Sequence, residues 1–385
     1  MRKISLPVYD ESKCFLFALG RNAMYAACRS AGVNRGDEIL TPAFDCDGSL
    51  QPFKAAGAKT IFFKSDPYTF AVDLTDIRKR LTVKTKLIHV INHFGMPQPW
   101  EELRSLSRET GIPILEDNAY SLFSKLEREP FGLFGDMAIF SLRKNLPLID
   151  GGLLRVNNPS YLFRLEKKAA PLFYSTEASG ILTIIKRMLG YYKMPPVLRR
   201  AARRFAPAIE PPVPLYSDPK KGCPDWPWRD ETGKEFSRDY LRPISGLARF
   251  QLSGFSERDL EIIADNKKRY YCRLNEAIGS LKGIKALWPK LPEGAVPFCF
   301  SFLVNSNRDI LFEELRKKYD VMVWPTLPQA VLNNLKDYPE VELLGRKLFQ
   351  INLPSDKVAL PDFSKYLNNL VAEFEVLAKK HICPN

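Results

Sequence analysis

The chain has 385 residues, 45% of them hydrophobic and 26% charged, and a formal net charge of +13. That length accommodates two domains, or a large domain carrying a smaller one, and that apolar content excludes wholesale disorder. Seven cysteines without a C-x-x-C pair and only three histidines argue against a zinc site and for a reduced, cytoplasmic protein.

The N-terminal stretch MRKISLPVYDESKCFLFALG holds no sustained apolar run ahead of a small-residue cleavage site, so no secretory signal is expected. Nowhere do about 18 apolar residues follow one another, so no transmembrane helix is expected either. The positive charge points to acidic partners, which could be nucleotides, phosphosugars, nucleic acid or an anionic membrane, and does not choose among them.

Along the chain, RNAMYAACRSAG predicts a helix closed by Gly32, and GDEILTPAF a short strand over Ile39 to Pro42. SLQPFKAAGA predicts a second helix, KTIFFKSD a strand running into a loop at Asp66, and KTKLIHVINHFG an apolar strand. WEELRSLSRETG has the spacing of an amphipathic helix, and IPILEDNAYS reads as a buried strand with Glu116 and Asp117 at its C-terminal end. DMAIFSL predicts a further strand ahead of Lys144 and the Asp150-Gly151-Gly152 turn. Strands alternating with short helices give a mostly parallel sheet, covered on both faces, whose ligands gather beyond the C-terminal strand ends.

Residues 186–204 hold seven Lys or Arg and no acid, and the segment that follows is rich in proline, with Pro211, Pro212 and Pro214 forbidding a continuous helix. This region reads as an excursion from the core. From Arg242 the pattern turns helical again, and LARFQLSGFSERDLEIIADNKKRYYCRLNEAIGSL predicts one long helix or a kinked pair. VPFCFSFLVNS, RDILFEELRKKYD, VMVWP and a last helix around DFSKYLNNLVAEFEVLAKKH then alternate strand and helix, which suits a smaller α+β domain.

A carboxylate at a strand end is ordinarily a cap or a surface charge. Asp117, however, ends the strand IPIL and Lys144 follows the strand DMAIFSL, so both would project from one sheet edge if those strands are neighbours. An acid and an amine so placed match what pyridoxal phosphate (PLP) requires: a lysine to form a Schiff base with the aldehyde, and a carboxylate to keep the pyridine nitrogen protonated. Released by an amino donor, the same lysine is placed to move a proton, a task for a desolvated amine of lowered proton affinity. Ser141 and the Gly151-Gly152 pair add small, flexible backbone nearby.

In their order, GRNAM, GDEILTPAF with GAKTIFF, HFGMP, ILEDNAYS, GDMAIFSLRKN and DGG resemble the motifs of the DegT/DnrJ/StrS-type aminotransferases, PLP enzymes of fold type I that mostly aminate keto sugars attached to nucleotides. The resemblance runs from about residue 12 to 156 and resumes from Arg242 through GRKLFQINLPSD to the C-terminus. It implies an α/β protein with a large PLP-binding domain over 1–250, built on a mostly parallel seven-stranded sheet flanked by helices and carrying an insert at about 160–235, and a small C-terminal α+β domain over 251–385.

By position the resemblance implies Lys144 as the Schiff-base lysine and Asp117 as the pyridinium partner. Tyr120 falls where a glutamine hydrogen-bonds the cofactor's phenolic oxygen, a role a tyrosine hydroxyl could fill. Arg21, Asn22 and Ala23 match the phosphate-binding turn at a helix N-terminus, and Ser141 a serine that also reaches the phosphate. The chain also departs from the family. The spacing from Ser141 to Lys144 is shorter, and Cys46 stands where an aromatic ring stacks on the cofactor, leaving Phe44 or Phe94 as substitutes. No asparagine near Leu241 matches the one donated to the phosphate across the dimer, so Arg242 would stand in as a cation, and the basic insert is not a common part of the family.

The expectation is a homodimeric, cytoplasmic, PLP-dependent aminotransferase that moves an amino group from an amino acid, glutamate first, to a keto sugar on a nucleotide, in polysaccharide or glycan biosynthesis. One alternative is a PLP enzyme of another class, a lyase or dehydratase; the family's sugar dehydratases carry histidine at the lysine position, so Lys144 argues against that branch. The other is a degenerate, non-catalytic relative associated with a membrane. The apolar-then-basic stretch over 181–204, with Arg199, Arg200, Arg203 and Arg204 on one face, would be a solvated surface, a peripheral contact with an anionic membrane, or a site for a nucleotide diphosphate. Nucleic acid is not expected, because no recognition motif accompanies the charge. Trp226 and Trp228 would stack on a base or sugar or anchor the insert. His89 and His93 read as core or loop histidines, Asp45 and Asp47 as turn caps, and no metal is expected.

Overall fold

A computed structural model describes residues 4–164, 240–324, 327–355 and 361–381. The basic, proline-rich segment, with Trp226, Trp228 and the expected membrane contact over 181–204, lies outside the described residues.

The first sheet is built from β1 (Cys14–Phe17), β2 (Glu38–Pro42), β3 (Lys59–Phe63), β4 (Thr85–Ile91) and β5 (Ile114–Asp117), then, beyond a two-stranded hairpin of β6 (Lys125–Leu126) and β7 (Glu129–Pro130), from β8 (Met137–Phe140) and β9 (Gly152–Val156). Its seven strands run in the order β1-β9-β8-β5-β4-β2-β3. The strands from β8 to β3 are parallel neighbours, and β9 runs antiparallel to both β8 and β1. The expected mostly parallel seven-stranded sheet is therefore present. β5 (ILED) and β8 (MAIF) are buried at every position, as a sheet covered on both faces requires.

The covering helices are α1 (Gly20–Ser30), α2 (Asp47–Ala55), α3 (Leu74–Arg80) and α4 (Trp100–Thr110). Small side chains, Ala23, Ala26, Ala27 and Cys28, line the buried side of α1 and let it approach the sheet closely. In α4, Trp100, Leu103 and Leu106 turn inward, while Glu101 and Glu102 in the first turn and Arg108 in the last complement the helix dipole. The single turn α5 (Leu142–Asn145) follows β8 directly.

Past residue 240 the expected helical stretch is a pair, α6 (Gly246–Ser253) and α7 (Glu257–Ile278). Gly254 closes the first, and Ser256 opens the second through a capping box with Asp259, so the two cannot merge. Residue 250 lies inside α6. The remaining elements are β10 (Ile284–Ala286), β11 (Cys299–Val304), α8 (Arg308–Leu315), β12 (Val321–Met322), α9 (Gln329–Leu332), α10 (Pro339–Lys347), β13 (Leu348–Asn352) and α11 (Pro361–His381). The strands among them form an antiparallel sheet in the order β10-β11-β13-β12.

One apolar cluster joins the two sheets. Phe44, Phe70 and Phe94 from the first meet Trp288 and Trp324 from the second, with ring centroids 4.8 Å apart for Phe44 and Trp324 and 5.7 Å for Phe70 and Trp288. Among the described residues no helix is long and apolar enough to cross a membrane.

Candidate active site

β5 and β8 are parallel neighbours, with Asp117 opposite Ile139, so Asp117 and Lys144 leave the sheet at the same edge. Asp117 is 4% exposed. Its Oδ1 accepts the Ala119 backbone N–H at 2.7 Å, and its Oδ2 lies 3.1 Å from His89 Nε2. His89 Nδ1 in turn lies 2.9 Å from the Thr41 hydroxyl. The three residues form a line across β2, β4 and β5. Sequence reasoning missed this line; the available signal was a histidine in the middle of the otherwise apolar LIHVI.

Lys144 sits on α5, and the Asn145 side-chain amide pins that turn by donating to the Ala119 carbonyl at 2.9 Å and the Ser141 carbonyl at 3.0 Å. The short spacing from Ser141 to Lys144 is thus spanned by one helical turn fastened to the loop after β5. Lys144 Nζ lies 4.0 Å from the centroid of the Tyr120 ring and, among the described residues, makes no hydrogen bond or ion pair. Burial pushes its proton affinity below that of an ordinary lysine; Asp117 pulls the other way, and Arg143 reinforces the lowering. Burial also raises the Tyr120 phenol, whose ring packs 4.9 Å from Phe298 and 5.6 Å from Phe94.

The N-terminus of α1 adjoins this pair. Leu19 gives it no side-chain cap, and Gly20 touches Ser141 so closely that a Cβ there would lie 3.2 Å from the serine's own. Arg21, Asn22 and Ala23 form the first turn. The Arg21 guanidinium donates to Gln51 at 2.7 Å and the Asn22 amide to the Tyr240 carbonyl at 3.0 Å, so these side chains brace the turn. A Cβ on Gly152 would fall 2.2 Å from the Leu19 carbonyl oxygen, so only glycine lets β9 run beside this turn. The Gly151 N–H donates to the Ala18 carbonyl at 2.6 Å. The double glycine is therefore a matter of close approach as well as of flexibility. Arg242 belongs to the same corner: its carbonyl accepts the Ala18 N–H at 3.0 Å, and its positive charge acts on Asp150.

Cys46 precedes α2 and is partly exposed; burial and Asp45 push its thiol up to about 11, which makes it a neutral group rather than a nucleophile. Burial raises the Asp45 carboxyl to about 6, although it accepts the Cys46 N–H at 2.6 Å and the Ser49 hydroxyl. Phe44 and Phe94 are fully buried in the aromatic cluster. Phe94 and Phe70 hold φ of 55° and 61°, a conformation that costs a bulky residue about 1–3 kcal/mol and needs firm surroundings. The surroundings are specific. Trp324 Nε1 donates to the Asp45 carbonyl at 3.2 Å, and a Cβ on Gly95 would fall 2.2 Å from the Val296 carbonyl oxygen. His93 Nε2 lies 3.1 Å from the Phe44 carbonyl, and burial lowers that imidazole to about 4, so it is neutral. No group of three His, Cys, Asp or Glu among the described residues could hold a metal ion.

These residue types fit PLP: a desolvated amine, a fixed carboxylate on the adjacent strand, and a helix N-terminus without a side-chain cap beside a serine. A mostly parallel seven-stranded sheet with this pair at its edge defines an α/β protein of the fold type I PLP architecture. Residues 10–172 match the sequence model of the DegT/DnrJ/EryC1/StrS aminotransferase family.

The chain is 30% identical over 141 residues to GDP-perosamine synthase of Escherichia coli O157:H7, a match that covers 36% of this chain and 39% of that enzyme. It is 28% identical over 140 residues to the UDP-N-acetyl-3-dehydro-alpha-D-glucosamine 3-aminotransferase of Acidithiobacillus ferrooxidans, covering 36% and 38%. The match thus spans less than half the length of these relatives. The fold similarity is wider: 98% of the chain superposes on 89% of a Streptococcus pneumoniae protein described as a sugar aminotransferase and solved in its PLP form, with a TM-score of 0.64 at 17% identity.

Proposed function

We propose that the protein is a PLP-dependent aminotransferase that carries an amino group from an amino acid, glutamate first, to a keto sugar held on a nucleotide. The observation that carries this reading is the pair at the sheet edge: Lys144, desolvated and without an ion pair among the described residues, beside Asp117, buried and held by two hydrogen bonds. When bound, PLP supplies an aldehyde for the amine and a ring that withdraws electrons from the carbon losing its proton. Lys144 Nζ would hold the aldehyde carbon and, once displaced by the donor, take the proton from the donor's α-carbon, a step helped by its lowered proton affinity. Asp117 would pair with the ring nitrogen, and the Tyr120 hydroxyl would serve the phenolic oxygen. Ser141 and the backbone N–H groups opening α1 would hold the phosphate.

Relatives named for nucleotide-linked sugars support the acceptor class. A homodimer, a cytoplasmic location, a role in polysaccharide or glycan biosynthesis and a division into a large unit over 1–250 and a small one over 251–385 belong to the same reading. The test is uptake of PLP by the purified full-length protein, read as a visible absorption band, followed by single-turnover amino transfer from glutamate. The wild type should show both and Lys144→Ala neither the band nor the transfer. Half-transamination by Lys144→Ala, or a wild type that takes up no PLP, would overturn the reading.

A further inference from the structure

We infer that His89 is a positioning residue for Asp117 and that the Thr41 hydroxyl holds its ring in place, an inference that rests on the PLP reading above. Three adjacent strands supply the line. Thr41 lies near the end of β2, His89 within β4 and Asp117 at the end of β5, with Thr41 and His89 wholly buried. Phe53 closes the side of the imidazole, its ring edge-on with centroids 5.1 Å apart, so His89 is kept from water and from other partners.

The hydrogen-bond chemistry leaves one arrangement for a neutral ring. An ionised carboxylate only accepts, so His89 Nε2, 3.1 Å from Asp117 Oδ2, must be the donor. The bare Nδ1 is then an acceptor, and the hydroxyl 2.9 Å away must be donating to it. Asp117 therefore selects the Nε2–H tautomer, and the Thr41 hydroxyl holds the ring by donating to the bare Nδ1. His89 in turn fixes one carboxylate oxygen while the Ala119 N–H fixes the other, so Asp117 meets a ring nitrogen with its rotation already set. The device requires no movement and no added group.

The chain holds only three histidines, His89, His93 and His381, so nitrogen-15 NMR of the labelled, cofactor-free protein can assign the His89 tautomer directly. The wild type should carry the proton on Nε2, and Thr41→Val, in which Asp117 still accepts that proton, should keep it there while weakening PLP binding. In PLP titrations His89→Leu should raise the dissociation constant roughly ten- to hundredfold, the range for a lost hydrogen bond to a charged group, and shift the visible band of the bound cofactor. His89→Gln, whose amide nitrogen reaches about where Nε2 lies, should restore most of both, whereas a packing role would show as a lowered melting temperature that glutamine does not repair. If His89→Leu does not fold, Thr41→Val decides, and an unchanged affinity for PLP there would overturn the inference. An Nδ1–H tautomer in the wild type, or wild-type affinity and spectrum in folded His89→Leu, would overturn it as well. A wild type without PLP uptake removes the function and the inference together, whereas a wild type that binds no better than His89→Leu removes the inference alone.

Discussion

Glu116 and Asp117 are consecutive in β5, and the alternation of a strand sends them to opposite faces of the sheet. On the Glu116 side five N–H groups converge on one carboxylate: the backbones of Gly132 at 2.6 Å, Phe134 at 2.9 Å and Gly135 at 3.1 Å, and the side chains of Asn118 at 2.9 Å and Asn92 at 3.1 Å. Burial raises the proton affinity of Glu116, and these donors offset part of the rise. On the Asp117 side two groups among the described residues donate, from Ala119 and His89, and the surroundings are the Lys144 amine and the Tyr120 phenol. Both carboxylates are buried in the same strand, yet one is saturated and closes a loop, while the other keeps acceptor capacity that the described residues do not fill.

The sharpest way to separate the two faces is to remove the reactive group on one and the staple on the other. Lys144→Ala should lower amino transfer by about 10⁴-fold while leaving the melting temperature near that of the wild type, because the amine makes no hydrogen bond among the described residues and its burial opposes its charge. Steady-state kinetics and a thermal scan on the same preparation check both halves. Glu116→Gln should do the reverse. Placing an amide among five N–H donors should cost about 3–5 kcal/mol in denaturant unfolding, while the activity of the molecules that remain folded should change little. If Glu116→Gln lost activity without losing stability, the division of labour between the faces would be wrong.

Asp117 and Lys144 were legible because one ends a short apolar strand and the other closely follows one, and those strands, parted in the chain by the β6-β7 hairpin, are neighbours in the sheet. The Thr41–His89 line was not, because it depends on the order β5-β4-β2, which the sequence does not state, and because a single histidine in an apolar strand looks the same whether or not a carboxylate waits beside it. The saturation of Glu116 depends on a loop returning 16 to 19 residues later, a closure no local pattern encodes. The break between α6 and α7 was half legible: the capping-box residues Ser256 and Asp259 were in view, but they permit a kink as readily as two helices. The positive φ of Phe70 and Phe94 runs against their local preference and follows from the packing between the two sheets.

Two smaller perturbations probe the Asp117 face alone. Gly152→Ala should drive β9 away from the turn before α1, at a cost of about 1–3 kcal/mol, and weaken PLP uptake because Gly20 and Ser141 move with that turn. Asp45→Asn is subtler and tests the electrostatics. The Asp45 carboxyl is raised to about 6 from an ordinary value of 3.8, so its contribution to stability is fully present below pH 4 and is lost as the pH rises through 6. At neutral pH the ionised group is therefore a burden, at most about 3 kcal/mol by the factor of 1.36 per unit, and less once Ser49 reorients to meet an amide. Asn keeps an oxygen for the Cys46 N–H and carries no charge. Asp45→Asn should be more stable than the wild type by about 1–2 kcal/mol at pH 7 and no more stable at pH 4, read from denaturant unfolding at the two pH values. An equal gain at both pH values would assign the effect to packing, and the Asp117 face would lose its claim to hold charge at an energetic cost that the Glu116 face offsets with backbone donors.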